Sequence, residues 1–160
     1  MHRRSDLRSS RRSSDVDLPV DAVWQVVASG MPGRQWYVDA APFVFRGGLD
    51  RLAGGAGRRW DPPGNPLLAT GDRVGFWLVT GAGHHGPRWR LVLEAQVRAP
   101  GTVRLTTEAQ SLSDHRTRLV QTISLAPRGC LGAAYLLADV PAREAVIELT
   151  HRRLLDDLRA

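Results

Sequence analysis

The sequence predicts an α+β fold, and three observations carry that reading. Four segments rich in β-formers follow one another between residues 72 and 126, joined by Gly/Pro or Ser/Asp turns. The chain ahead of them passes from a strand into two helices, and the chain behind them is helical to its end. Helices segregated to the two ends of a run of adjacent strands mean an antiparallel sheet covered on one face. A length of 160 residues fits one domain with a core of its own, needing neither disulfide nor metal.

Residues 1–12, rich in Arg and Ser, predict a flexible leader before a single domain over 13–160. In "SSDVDLPVDAVWQVVAS" the alternation at Val16 and Leu18 reads as a strand. Val20, Val23, Trp24 and Val27 then fall on one helical stripe, opened by Pro19 and Asp21 and stopped by Gly30, Pro32 and Gly33. A second helix is expected from Asp39, with Pro42 in its first turn. Phe45, Leu49 and Leu52 share one face of it, and Arg46 and Asp50 form an i, i+4 pair. The glycines of "RGGLDRLAGGAGRR" end it. That stretch lacks the Lys-Ser/Thr pair of a phosphate loop, and its place at a helix C-terminus disfavours anions, leaving a helix cap or a hinged flap.

The four strands are expected at 72–83, 87–98, 102–111 and 117–126. In the second, Trp89, Leu91, Leu93, Ala95 and Val97 make one face, with Arg88, Arg90, Glu94, Gln96 and Arg98 opposite; Val103, Leu105 and Ala109 repeat the pattern in the third. The last helix, "PAREAVIELTHRRLLDDLR", carries Ile147, Leu154 and Leu158 on one stripe.

The net charge of +6 sits largely in the leader: Arg3, Arg4, Arg8, Arg11 and Arg12 face a single acid there, Asp6. The remaining chain is close to neutral, which argues against nucleic-acid binding, where a basic stripe covers the folded face. Every basic residue is Arg, which excludes lysine Schiff-base chemistry. No run reaches the roughly 20 apolar residues of a membrane span and no signal sequence opens the chain, so a cytoplasmic protein is expected. The lone Cys130 reads as a small apolar residue.

The order of elements, with the opening "DLPVDAVWQVV", resembles the helix-grip fold of the START/polyketide-cyclase superfamily (SRPBCC), in which a bent sheet wraps a long C-terminal helix around an apolar cavity. The segments "WYVDAAPFVFRGGLDRLAGGAGRR", "GDRVGFWLV", "RLVQTISLAPRGCLGAAY" and "VPAREAVI" are similar to an SRPBCC domain often fused behind NAD(P)-dependent epimerase-like or atypical short-chain dehydrogenase domains. The likeness spans roughly residues 15–158. It implies the fold and a pocket, without a reaction. Four positions depart from the pattern: Gly75 and Gln96 stand in place of acidic residues, Leu136 in place of Trp, and Arg143 in place of His.

The resemblance implies a mostly apolar ligand, such as a lipid, polyketide or terpenoid, held between sheet and final helix. Trp36, Tyr37, Phe45, Arg46, Leu49, Trp77, Trp89 and Tyr135 are its candidate lining residues, although such aromatics equally serve as core. Arg143 and His151 border the apolar stripe of the last helix about 12 Å apart, at ~1.5 Å per residue. They suit either a ligand's polar end or simple boundary packing. A cyclase- or dehydratase-type enzyme is the alternative, with Tyr37, Asp39, Arg143 and His151 as catalytic candidates, His151 or Asp39 as base and Arg143 holding a carbonyl oxygen. A further alternative is a non-catalytic module that docks on a separate oxidoreductase. No cofactor is expected, and no metal: His84, His85 and His115 lie in loops without a third suitably spaced ligand.

Overall fold

The computed structural model describes residues 2–5, 8–32, 35–39, 63–96, 101–127 and 129–160, with backbone alone for 2–5, 39 and 129–139. Among them are strands β1 (His2–Ser5), β2 (Ser9–Val16), β3 (Arg73–Val74), β4 (Trp77–His85), β5 (Arg88–Ala95), β6 (Gly101–Ser113) and β7 (Arg116–Pro127). The helices are α1 (Val20–Val27), α2 (Trp36–Asp39) and α3 (Gly129–Asp157). The strands form one antiparallel sheet in the order β1-β2-β7-β6-β5-β4-β3. β3 to β7 make a meander, and β2 closes onto its last strand. Register shifts at Val79/Gly81 and Ser111/Ser113 mark bulges of the kind that bend strands. The result is an α+β, helix-grip arrangement of curved sheet and long C-terminal helix.

The alternation expected in the strands fixes which face is covered. Leu91 and Leu93 of β5, Leu105 and Ala109 of β6, and Leu119, Ile123 and Leu125 of β7 are buried on the inner face. Arg88, Arg104 and Arg118 point outward and pair with Glu108, Glu94 and Asp15. Those solvated pairs contribute little, on the order of 0–1 kcal/mol each. α1 buries Val23, Trp24 and Val27, and Trp24 stacks on Trp89 with ring centroids 5.0 Å apart. α3 has Pro141 inside it. C-terminal to that proline, Arg143, Ile147, Thr150, His151 and Leu154 are buried while Ala145, Leu149, Arg152 and Asp156 are exposed, a helical period with one face on the sheet. Among the described residues no helix is long and apolar enough to cross a membrane.

The N-terminal arginines differ from the expected loose leader. Ser9 to Arg12 belong to β2, paired to β7 from Ser9↔Ser124 through Val16↔Thr117, and His2–Ser5 pair with β2 as β1. Arg12 is 2% exposed. The physical reason is that the inward residues of β2 are polar: Ser10, Arg12 and Ser14 meet polar partners on α3, so burial occurs without the apolar alternation that signals a strand. The helix expected over residues 39–52, with its glycine-rich end, lies outside the described residues beyond the backbone of Asp39.

Candidate functional site

The aromatic candidates at the sheet's β4 end are tied together through backbone carbonyls. Trp36 Nε1 donates to the Val27 carbonyl at 3.1 Å, Tyr37 Oη to the Ser29 carbonyl at 2.5 Å, and Trp77 Nε1 to the Tyr37 carbonyl at 2.8 Å. Trp36, Tyr37 and Trp77 are each 1% exposed or less. These bonds fasten α2 to the end of α1 and to β4, so each polar tip in the cluster has a structural partner. Beside it, Gly75 has φ of 59°, and a Cβ there would meet Val38 Cγ2 at 3.1 Å. The glycine standing in place of the resembled family's acid therefore serves a left-handed backbone against α2. Trp89 is half-buried and makes ring contacts with Trp24 and His84, and His85 and His115 are exposed. Phe45, Arg46 and Leu49 fall outside the described residues, as do the side chains of Asp39 and Tyr135.

A second group lies beneath α3, and only its helix members, Arg143 and His151, are legible as candidates in the sequence. Strand register lines up Leu91, Thr107, Gln121 and Arg12 as cross-strand neighbours on β5, β6, β7 and β2. Gln121 and Thr107, both buried, interrupt the apolar face of their strands. Gln121 Nε2 donates to Thr107 Oγ1 at 3.1 Å, which turns Gln121 Oε1 toward His151 Nδ1 at 3.0 Å. An acceptor at that position makes Nδ1 the protonated nitrogen. His151 Nε2 then accepts from Ser14 Oγ at 2.9 Å. Every polar atom of the ring is paired, and the ring is fully buried.

Burial is the largest cause that pushes the His151 pKa down, to about 4; nearby Glu148 opposes the shift and Arg12 adds to it. The imidazole is therefore neutral at physiological pH. One turn toward the helix start, Arg12 Nε and Nη2 donate to Glu148 and Glu144, each at 2.7 Å. Burial works against the Arg12 charge, but the two carboxylates outweigh it and hold its pKa above the ordinary value. Arg143 Nε donates to Ser10 Oγ at 3.1 Å. The inner surface thus has two halves: a hydrogen-bonded polar row along β2, β7 and α3, and an apolar field of Leu91, Leu93, Leu105, Val79 and Trp77. The hydrogen bonds put Tyr37 and His151, two of the catalytic candidates, in different sets. Ser10, Arg12, Ser14, Thr107 and Gln121 are missed from sequence, although the polar Thr107 and Gln121 inside two apolar alternations are a usable signal.

The sequence profile of a protein family of unknown function, DUF2867, matches residues 4–149. The chain belongs to the DUF2867 family. The match takes in part of β1 and all of β2, so the polar strand lies within the family's own extent. No curated protein matches this DUF2867 chain. Among solved structures, it is similar to the solution NMR structure of a protein from Arthrobacter aurescens, at 15% identity and a TM-score of 0.54, covering 99% of this chain and 91% of the other. It is also similar to the Zhui aromatase/cyclase from Streptomyces sp. R1128, at 16% identity and a TM-score of 0.43, covering 95% and 93%. At such identities the likeness concerns the fold alone.

Proposed function

We propose that this protein binds a mostly apolar small molecule between the inner face of the sheet and α3. The observation that carries the reading is the two-sided inner surface. An apolar field beside a short row of fully paired polar side chains, beneath one helix, is the composition of a small-molecule site. The polar row is satisfied within the protein, where it ties α3 to β2 and β7, and the apolar field beside it is the part of that surface that suits an apolar ligand.

A proton-transfer role for His151 fits less well. A group held near pKa 4, with Nδ1 and Nε2 both engaged, is a poor base at neutral pH. The ring instead fixes the spacing between α3, β2 and β7. Native mass spectrometry of the protein isolated from its own host tests the binding reading. The expected spectrum shows the 17.6 kDa chain with a small adduct that is released on collisional activation and extracts into organic solvent. The bare chain alone, from folded protein, goes against it.

A further inference from the structure

We infer that the solvent-facing side of the sheet, across β2, β7, β6 and β5, docks on a membrane surface of anionic lipids. The inference is independent of the binding reading above, and its failure leaves that reading in place. Strand register lays the outward residues in rows: Ser9, Ser124, Arg104 and Glu94 in one, Arg11, Thr122, Thr106 and Val92 in the next, and Ser13, Val120, Glu108 and Arg90 in the third. Because Ser9 to Arg12 form a strand instead of a loose leader, Arg11 is part of this face, and β1 adds Arg4 at the register position opposite it.

The charge on that face is uneven. Among the described residues, Arg11, Arg88, Arg90, Arg104, Arg116 and Arg118 hold outward positions on these strands, and Asp15, Glu94 and Glu108 are the acids that oppose them. Asp15 is shared by Arg116 and Arg118, at 3.5 and 2.8 Å, and Glu108 by Arg88 and Arg90, at 3.2 and 3.8 Å. One arginine of each such pair is therefore uncompensated, Arg11 is exposed beside them, and the paired guanidiniums keep further N–H donors for another acceptor. The C-terminal half of α3 and the residues after it differ: Arg143, Arg152, Arg153 and Arg159 are matched in number by Glu144, Glu148, Asp156 and Asp157. The positive excess is on the sheet side.

The side chains between the arginines decide the occupant. No aromatic ring stands at an outward position of β2, β5, β6 or β7, so the face offers neither the stacking platform of a single-stranded nucleic-acid site nor the aromatic anchor typical of a protein interface. A broad sheet does not enter a duplex groove as a helix or a two-stranded ribbon does. What it presents is guanidinium groups interleaved with the hydroxyls of Ser9, Ser13, Thr106, Thr122 and Ser124, donors that suit phosphate oxygens. A layer of lipid phosphates meets many such donors at once from outside the protein.

The test is sedimentation of the whole chain with vesicles of equal parts phosphatidylglycerol and phosphatidylcholine, and with vesicles of phosphatidylcholine alone, in about 0.1 M salt. Binding to the anionic vesicles only, and its loss in about 0.5 M salt, is expected. Arg11→Gln with Arg116→Gln takes charge from the sheet face and leaves Arg118 on Asp15, while Arg152→Gln with Arg159→Gln takes the same charge from the exposed side of α3 and its end. All four side chains are exposed, so both variants should melt close to the native chain. The sheet variant is expected to lose at least about tenfold in vesicle affinity, and the α3 variant less than about threefold. Equal losses in the two would assign the effect to net charge and overturn the inference. Failure of the native chain to bind anionic vesicles, or tighter binding per phosphate to a DNA duplex, overturns it as well.

Discussion

Arg12→Ala is expected to lower the unfolding free energy by about 3 kcal/mol, near the lower end of the range for breaking a buried ion pair. Arg12 is 2% exposed and Glu148 14%, while Glu144, at 31%, retains water to compensate for the loss. The variant removes two charge-assisted hydrogen bonds and the packing of the guanidinium stem, and leaves the Glu148 carboxylate in a nearly dry site. The double variant Arg12→Met with Glu148→Leu is expected to recover most of the loss, because the uncompensated charge, more than the missing attraction, causes the damage. Urea titration followed by the fluorescence of the buried Trp24, Trp36 and Trp77 measures both. A loss below about 1 kcal/mol, the size of a solvated surface pair, would show that β2 does not fasten α3.

Acidification is expected to weaken the protein through His151. Its pKa in the fold is about 4 against 6.5 for the free group, so between those values the unfolded chain binds a proton that the folded chain refuses. Stability from this group is full above pH 6.5 and falls as the pH drops toward 4, by about 3 kcal/mol over the window. The charged neighbours are Glu148, which favours the protonated ring, and Arg12, which opposes it. Since carboxylates begin to titrate at the lower end of the window, the His151 contribution is read as the difference between native protein and His151→Phe in denaturant titrations at pH 7 and pH 5. The variant should be less stable at pH 7 and show a shallower pH slope. Identical slopes would mean that the ring is not held neutral by burial.

Most of the sheet is legible in the sequence because its inner residues are apolar and alternate: Leu91 and Leu93, Leu105 and Ala109, Leu119 and Ile123. α1 and the sheet-facing stripe of α3 are legible for the corresponding 3.6-residue reason. β2 is not. Its inner residues Ser10, Arg12 and Ser14 and its outer residues Arg11, Ser13 and Asp15 are chemically alike, so period two leaves no trace, and the run reads as a solvated tail. What makes it a strand is information from the other end of the chain, Glu144, Glu148 and His151, which becomes complementary only after folding.

The candidate site is half legible for a related reason. Arg143 and His151 stand out beside an apolar stripe, but their partners Ser10, Ser14 and Gln121 lie 133, 137 and 30 residues away. The aromatic residues Trp36, Tyr37 and Trp77 stand out as well, yet sequence cannot show that their polar tips are spent on the carbonyls of Val27, Ser29 and Tyr37. Side-chain type marks a residue as capable of contact, and only the fold decides what it contacts.

Residue-resolved NMR tests most directly whether a small apolar molecule sits between the sheet and α3. Labelled protein titrated with undecan-2-one is expected to show its largest shift changes at Leu91, Leu93, Leu105, Ile147, Thr150 and Leu154. Changes confined to the exposed Met31, Leu112 and Leu149, or spread evenly over the surface, would contradict it.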